Sequence, residues 1–296
     1  MPIILSGKVA RDELKRSLVA KIRALQEKQG SPLCLAIIQV GDRPDSTAYI
    51  DAKKRFAAEI GVTVRLVHFQ ESVKQEDVIA EIKKLDQEKE VTGIIVQLPL
   101  PAHIDKHAVI DAIDPGKDID GISSASVRRW SAADDVESYR PWPATAYGVY
   151  QLLQFYKIDV QGKRVCIIGR SELVGAPIAA IVGKMGGVVT VCHSKTVDLV
   201  KETLAADVII TAVGKPALIT AQHVRSGQVV IDVGLSDASG GKLDEEVPRR
   251  KLVGDVDFEK ASVVLGEKGA ISPVPGGVGP MTVLALFDNL ADCARI

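Results

Sequence analysis

Lys163–Gly169 reads KRVCIIG, and this stretch decides how the second half of the chain is predicted to fold. Its apolar run is typical of a strand that is covered on both faces. The run ends in a glycine-rich turn, Gly169–Gly175 (GRSELVG), and Ala176–Met185 after it has the pattern of a helix. The turn is not a complete G-x-G-x-x-G motif. A strand, a turn and a helix in this order nevertheless present free backbone N–H groups to a pyrophosphate.

Predicted strands and helices alternate along the rest of the chain. In the first half, strands are predicted at Leu33–Val40, Val62–Phe69 and Gly93–Leu98, and helices at Ser46–Ile60, Glu76–Lys89 and His103–Ile113. In the second half, further strands are predicted at Val188–Cys192, Asp207–Val213 and Val229–Val233, and helices at Ala144–Tyr156, Val197–Ala205 and Ala221–Ser226. Each β-α-β series predicts a parallel sheet wrapped by helices.

The polar segment Ser123–Pro143 interrupts this alternation, so we interpret it as a link between two domains. The last predicted helix, Thr282–Ala294, follows a series of strands that is already complete, and we expect it to pack back on the first domain. The predicted parts are a first domain of residues 1–122 plus 278–296, a second of residues 141–277, and a connection of residues 123–140.

The composition is typical of a soluble globular protein. Of the 296 residues, 46% are hydrophobic and 25% are charged, and the net charge is −1. A near-neutral chain gives no reason to expect nucleic acid or an anionic membrane as a partner. No apolar run approaches the ~18 residues that span a bilayer, and the first residues lack the pattern of a signal peptide.

Neither the cysteines nor the histidines indicate a metal site. The four cysteines are scattered singly and are expected to be small core residues in a reducing, cytoplasmic compartment: Cys34, Cys166, Cys192 and Cys293. His103 and His107 have ligand spacing, but no third ligand lies near them in the sequence. We therefore predict no metal.

The residues after the strand Val188–Cys192 favour NADP over NAD. An NAD site usually has an acidic residue there that binds the ribose hydroxyls. Here the strand is followed by His193, Ser194 and Lys195, and Arg170 lies in the glycine turn. We expect Arg170 and Ser194 to contact the ribose phosphate, and Lys195 to be solvated.

A second group of polar residues is expected at the edge of the first sheet. Ser46, Tyr49 and Lys53 share one face of their predicted helix, which starts just beyond the carboxyl end of a strand. Gln97 follows another strand at the same edge, and Asp120 belongs to a later loop. A partly desolvated lysine there can have a lowered pKa and move protons.

The pair Tyr49 and Lys53 also has the Tyr-x-x-x-Lys spacing of short-chain dehydrogenases. We reject that interpretation because in those enzymes the pair follows the glycine turn within one domain. In this chain the pair precedes the turn.

The segment Ser272–Thr282 (SPVPGGVGPMT) is rich in proline and glycine and leads into the last helix. Prolines fix φ, and glycines allow a close approach of the backbone. The segment is therefore suited to contact a flat or phosphorylated ligand, although a Gly/Pro cluster alone is also typical of an ordinary interdomain turn.

Taken together, these motifs resemble the bifunctional methylenetetrahydrofolate dehydrogenase/cyclohydrolase family over essentially the full chain. The motifs that carry the resemblance are Ser46…Tyr49…Lys53, Val96–Pro101 (VQLPLP), Lys117–Gly121 (KDIDG), Gly169–Pro177, Cys192–Ser194, Gly254–Val256 and Pro273–Thr282. The resemblance implies two α/β domains around a cleft, the second a Rossmann-like doubly wound parallel sheet. It also implies a homodimer that uses NADP in one-carbon metabolism, oxidising methylenetetrahydrofolate to the methenyl form and hydrolysing that to formyltetrahydrofolate.

The same resemblance implies roles for individual residues. Lys53 would be the central catalytic group, Gln97 would tune its protonation, and Tyr49 and Asp120 would orient the substrate. The substrate would also be bound by Ser46, Pro273, Gly276 and Gly277. The cofactor would be bound by Gly169, Arg170, Ser171, Ser194, Thr145, Gly214 and Gly234.

Two segments depart from the family pattern. Pro143–Gly148 (PATAYG) lacks the usual cysteine and second proline, and Ser123–Trp130 lacks a usual His-Pro and Asn. Two alternatives are open; the first shares the general two-domain layout, and only the second is supported by these departures. One is another two-domain dehydrogenase, of the shikimate or amino-acid type. The other is a folate or nucleotide binder without turnover.

We predict that Arg170→Ala weakens NADP binding by about 1.5–3 kcal/mol, because one or two charge-assisted hydrogen bonds to phosphate are lost. A titration of each protein with NADP measures the effect. Lys195→Ala is the matched control and should keep the parental affinity. Equal affinity of the Arg170 variant and the parent would refute the assignment.

Overall fold

The computed structural model describes residues 1–237 and 252–294, and strands and helices alternate through most of them. The strands are β1 Ile3–Ile4, β2 Cys34–Val40, β3 Thr63–Phe69, β4 Gly93–Val96, β5 Arg164–Ile168, β6 Val188–Cys192, β7 Val208–Thr211, β8 Val229–Asp232, β9 Ser236–Asp237, β10 Leu252–Val253 and β11 Ala270–Ile271. The helices are α1 Gly7–Gln29, α2 Pro44–Ile60, α3 Gln75–Gln87, α4 Lys106–Ile110, α5 Ser124–Ala132, α6 Ala144–Phe155, α7 Gly175–Lys184, α8 Leu199–Ala205, α9 Phe258–Leu265 and α10 Val278–Cys293.

The elements predicted from the sequence are present, but their ends differ by up to a few residues. The predicted helix Ala221–Ser226 is only a 3-10 helix, Ala221–His223. Three helices, α1, α5 and α9, were not predicted.

The segment interpreted as a link between two domains contains a helix, α5, which was not predicted. Ser123 caps it, because its Oγ accepts a hydrogen bond from the N–H of Ser126. Trp130 is buried, and its Nε1 donates to the carbonyl of Gly121 at 3.1 Å. A helix capped by serine and anchored by one aromatic residue leaves too weak an apolar period to be detected from the sequence.

One compact unit, here called the first unit, comprises Asp12–Ala144 and Val283–Ile296. Its sheet has the order β3-β2-β4, and both pairs are parallel. The central strand β2 is buried from Leu35 to Val40, as expected of a strand covered on both faces. The helix α2 ends at Gly61, which adopts a positive φ of 76° as its C-cap.

The last helix packs within this unit. On α10, Phe287 packs against Phe56 of α2 with ring centroids 5.5 Å apart. The side-chain amide of Asn289 donates to the carbonyls of Ile119 and Trp142, at 2.9 and 2.8 Å. The helix thus fixes both the loop that follows α4 and the segment that precedes α6.

The other compact unit, here called the second unit, comprises Met1–Arg11 and Thr145–Thr282. Its six-stranded sheet has the order β1-β11-β8-β7-β5-β6, and every pair in it is parallel. From β5 the chain continues first to β6 on one side and then to β7 on the other. The sheet is therefore doubly wound, and the predicted fold class of two α/β domains is confirmed.

The predicted domain boundaries stay a prediction, and the compact units differ from them in several places. The first residues contribute β1 to the sheet of the second unit, where Ile3 pairs with Ala270. Residues 123–140, predicted to be a connection, lie within the first unit.

Candidate active site

Lys53 and Gln97 meet at the carboxyl edge of the first unit's sheet. Lys53 lies on α2, which begins shortly after β2 ends, and Gln97 directly follows β4. The Nζ of Lys53 donates to Oε1 of Gln97 at 3.0 Å. The Nε2 of Gln97 donates to the carbonyl of Leu98 at 2.9 Å, so the amide turns its oxygen to the amine. The predicted pairing of these two residues is therefore present in the geometry.

Asp120 is the charged partner of this amine. Burial lowers the pKa of Lys53 from its usual value, and the charge of Asp120 raises it in part. Burial also raises the pKa of Asp120, while Lys53 lowers it and the nearby Asp118 raises it. A lysine in this environment loses its proton at lower pH than an exposed lysine does.

The loop that carries Asp120 is fixed by its neighbours in sequence. The Nζ of Lys117 donates to three carbonyls at the end of α3: those of Leu85, Asp86 and Glu88, at 3.2, 2.8 and 2.7 Å. The buried carboxylate of Asp118 accepts hydrogen bonds from the N–H groups of Gly121 and Ser123, at 3.0 and 2.9 Å.

Gly121 completes this loop. It has a positive φ of 68°, and a Cβ there would lie 2.7 Å from the backbone of Trp142. The supporting roles of Lys117 and Asp118 were not predicted. The partners of Lys117 lie about thirty residues earlier in the chain, whereas those of Asp118 lie within the same loop.

The other predicted substrate residues of this unit differ in exposure. Tyr49, one turn before Lys53 on α2, is 47% exposed, so its ring is accessible to a ligand. Ser46 is only 5% exposed and is thus the least accessible member of the predicted set.

A cavity of about 560 Å³ opens at the same edge of the sheet. Its walls are formed by residues 40–44, 70–71 and 99–102. Lys53, Gln97 and Asp120 are not part of this lining.

The glycine turn of the second unit lies between β5 and α7. Gly169 has a φ of 116°, and a Cβ there would collide with the carbonyl oxygen of Ala212. A Cβ on Gly175 would collide with the carbonyl of Gly169. Both positions therefore require glycine. Ser171 supports the turn, since its Oγ accepts from the N–H of Gly175 at 3.3 Å.

The groups expected to bind a dinucleotide phosphate are exposed around this turn. Arg170 and Ser171 are exposed at the start of α7, where a helix N-terminus attracts anions. Ser194 and Lys195 are exposed after β6, and the N–H of Gly169 donates to the carbonyl of Cys192 at 2.9 Å. The ends of β5 and β6 thus lie side by side, and residues 193–196 carry no carboxylate. This chemistry fits NADP.

The remaining predicted binding residues lie in three parts of the second unit. Gly214 is exposed after β7 with a φ of 70°, whereas Gly234 is buried after β8, where a Cβ would collide with the carboxylate of Asp255. Thr145 is half-buried in the first turn of α6.

The loop Pro273–Gly277 connects β11 to α10. Gly276 has a φ of 104°, and a Cβ on Gly277 would lie 3.0 Å from the Cβ of Ser272. The prediction of a compact, side-chain-poor loop agrees with this geometry. The roles of its residues stay predictions.

Among the described residues, residues 1–237 and 252–294, no group of His, Cys, Asp and Glu side chains is arranged to hold a metal ion. Over the same residues, no helix is long and apolar enough to cross a membrane.

Comparisons with known proteins agree on one family. A model of the tetrahydrofolate dehydrogenase/cyclohydrolase catalytic domain matches residues 5–120. A model of the NAD(P)-binding domain of the same family matches residues 143–296. The bifunctional protein FolD of Bacillus cereus (strain AH187) is 38% identical over 293 residues, which are 99% of this chain and 96% of that protein.

Solved structures give the same result. The bifunctional enzyme FolD of Campylobacter jejuni matches with a TM-score of 0.90 and 38% identity, over 100% of this chain and 99% of that one. The enzyme of Trypanosoma brucei, solved with NADP cofactor and an inhibitor, matches with a TM-score of 0.89 and 32% identity, over 99% and 97%. The mitochondrial C-1-tetrahydrofolate synthase of Schizosaccharomyces pombe is 38% identical, and this chain spans 29% of its length.

We predict that Asp120→Asn lowers the pKa of Lys53 further. The substitution removes the negative charge that raises this pKa, while the burial that lowers it remains. An NMR titration of the Lys53 side chain measures the change. Asp51→Asn, at an exposed position of the same helix, is the control and should leave the titration unchanged. A rise in the pKa of Lys53 in the Asp120 variant would contradict the prediction.

Proposed function

The chain belongs to the tetrahydrofolate dehydrogenase/cyclohydrolase family, and on this premise we propose that it oxidises methylenetetrahydrofolate with NADP and hydrolyses the product. The oxidation gives methenyltetrahydrofolate, and the hydrolysis gives formyltetrahydrofolate. The observation that carries the proposal is the hydrogen bond from Lys53 to Gln97, at 3.0 Å, inside the segment that matches the family's catalytic domain.

Lys53 is the group that we assign to proton transfer. In the hydrolysis, water adds to the methenyl carbon, a carbon–nitrogen bond of the ring opens, and one proton is released. The lowered pKa of Lys53 increases the fraction of neutral amine, which can accept a proton from the attacking water. Gln97 holds the amine in one direction, since its Oε1 accepts a hydrogen from it.

The oxidation requires alignment more than proton transfer. Bound NADP supplies the acceptor for the hydride that leaves the methylene carbon. Arg170, Ser171 and Ser194 would hold the cofactor phosphates near the positive N-terminal end of α7. We assign Gly169, Thr145, Gly214 and Gly234 to further cofactor contacts.

Tyr49 and Asp120 are assigned to orienting the substrate. The exposed ring of Tyr49 is suited to stacking on a flat pterin, and the carboxylate of Asp120 to accepting hydrogen bonds from its amino edge. We also assign substrate contacts to Ser46, Pro273, Gly276 and Gly277. Alignment of this kind can lower the barrier of a transfer step by several kcal/mol, on the order of 7–11 in the best cases.

Of the two alternatives raised by the sequence, one is excluded and the other requires an experiment. A dehydrogenase of the shikimate or amino-acid type is wrong, because both family models match this chain over residues 5–120 and 143–296. A spectroscopic assay for the methenyl product distinguishes the proposed enzyme, which forms this product, from a binder without turnover, which does not. Running that assay with NADP and then with NAD also tests the choice of cofactor.

We predict that Lys53→Met abolishes the cyclohydrolase activity while NADP still binds. Methionine keeps the length and the apolar stem of the side chain but removes the amine that transfers the proton. The decay of methenyltetrahydrofolate absorbance, corrected for the uncatalysed reaction, gives the rate. Lys54→Met, on the neighbouring residue of the same helix, is the matched control. Parental hydrolysis by the Lys53 variant would overturn the assignment.

We further propose that the protein works as a cytoplasmic homodimer. All four cysteines are free thiols, which is consistent with a reducing compartment. Cell fractionation tests this location, and recovery in an organelle would contradict it.

Support for the dimer comes from β6, one of the two edge strands of the six-stranded sheet, on which Val188 and Val191 are 58% and 41% exposed. An exposed apolar edge strand is a template for pairing with another chain.

We predict that Val191→Lys shifts the protein from dimer to monomer. A charge on the edge strand opposes pairing of two copies through this edge. Sedimentation velocity over a range of protein concentrations measures the assembly. Val263→Lys on α9, where the parent side chain is 83% exposed, is the control and should remain dimeric. A parental dimer that survives the Val191 substitution would exclude this edge as the interface.

A further inference from the structure

Asp255 is fully buried at the carboxyl edge of the second unit's sheet and has no exposed oxygen. One of its oxygens accepts from Oγ1 of Thr211 at 2.9 Å and from the N–H groups of Val213 and Gly214, at 2.8 and 3.3 Å. The other accepts from the N–H of Lys215 at 2.7 Å. Three consecutive N–H groups of the loop after β7 therefore converge on one carboxylate.

A second buried carboxylate, Asp232 at the end of β8, fixes the segment that carries Asp255. It accepts from the N–H groups of Gly234, Asp255 and Val256, at 2.9, 3.1 and 2.9 Å. Burial, together with the charge of Asp255, raises the pKa of Asp232 to about 7, against the effect of these hydrogen bonds. Asp232 thus holds the backbone of Asp255, and Asp255 in turn holds the loop after β7.

Two glycines pack directly against this pair of carboxylates, at positions where no side chain would fit. A Cβ on Gly234 would collide with the carboxylate of Asp255, and a Cβ on Gly254 would collide with that of Asp232. The pair also reaches the proline–glycine loop, because the N–H of Asp232 donates to Oγ of Ser272 at 2.8 Å. One buried cluster therefore fixes the loops after β7, β8 and β11.

These loops lie where an open doubly wound sheet binds its ligand. The loop after β7 also touches the glycine turn, since the backbone of Ala212 occupies the space beside Gly169. Residues 213–217 of this loop are exposed. In many proteins, successive backbone N–H groups of this kind bind a phosphate. Here Asp255 occupies them, so they are not available to an anionic ligand and instead set the shape of the loop.

We propose that Asp255 is a positioning residue for the dinucleotide, and that it acts by holding the exposed loop 213–217 in its binding conformation. The inference rests on the proposed function for the identity of the ligand. It predicts that loss of this carboxylate impairs the NADP-dependent oxidation and spares the hydrolysis, which uses no dinucleotide.

Asp255→Asn tests the inference. In this variant the NH₂ group of the asparagine, itself a donor, would replace an oxygen that accepts from backbone N–H groups in the parent. The KM for NADP should rise at least tenfold. The KM for methylenetetrahydrofolate and the rate of methenyltetrahydrofolate hydrolysis should stay within twofold of the parent. A calorimetric titration with NADP should show weaker binding by a similar factor, without any need for turnover.

Asp207→Asn is the matched control. Asp207 also accepts from a backbone N–H, that of Arg164 at 3.0 Å, but it lies at the amino end of β7, the opposite edge of the same sheet. This variant should keep the parental KM for NADP. If it raises that KM as much as Asp255→Asn does, the position of Asp255 has no special role and the inference fails.

Thr211→Val decides the question if Asp255→Asn does not fold. This nearly isosteric change removes one donor to Asp255 and should raise the KM for NADP about threefold, with hydrolysis unchanged. A parental KM in both variants, or an equal loss of both activities with NADP affinity retained, would overturn the inference. A parent that binds NADP but does not oxidise the folate would contradict the proposed function alone, and the binding comparison would still test Asp255.

Discussion

The half-buried amine of Lys53 donates its hydrogen bond to a neutral acceptor, the amide oxygen of Gln97. The proton chemistry of the first unit depends on this acceptor being uncharged. A carboxylate in the place of Gln97 would stabilise the charged lysine and keep its pKa high. The amide oxygen gives direction without a full charge, so burial can lower the pKa. Asp120 limits this effect from the other side. The balance between burial and one nearby charge therefore sets how readily the amine exchanges a proton.

Buried carboxylates perform the same kind of task in both units. Asp118 in the first unit and Asp255 in the second each accept backbone N–H groups of a loop at the carboxyl edge of a parallel sheet. Such loops have no ladder of strand hydrogen bonds, and a buried, fully bonded carboxylate supplies the missing acceptors. The residues assigned to ligands, Asp120 and Gly214, are close neighbours of these anchors in sequence. The fold thus separates residues that hold a loop from residues that can meet a ligand.

Much of the fold was predictable because it rests on local patterns. The buried strands β2 and β5 have continuous apolar runs, and Gly61 and Gly169 stand where a positive φ is needed. The helix α5 was missed because its sequence is largely polar and Trp130 is its one large buried side chain.

The candidate site was predictable to the extent that motif residues lie at strand ends. Lys53 and Gln97 could be placed at one edge from the sequence, because α2 follows β2, Gln97 follows β4, and β2 and β4 are parallel neighbours. The anchoring roles of Lys117 and Asp255 were not predictable, because their partners belong to other segments. Lys117 caps the end of α3, about thirty residues earlier, and Asp255 reaches back to the end of β7. Only a folded chain brings such groups together.

The pairing of β1 with β11 has a consequence for how the chain reaches its native state. Ile3 pairs with Ala270, so β1 is synthesised before its partner and stays unpaired until the intervening chain has been made. Contacts of such long sequence separation are slow to form, since the closing of a long loop precedes any gain from it. Once β11 has been made, the side that β1 will cover is an open edge until the two strands pair, and an open edge is a site for wrong pairing.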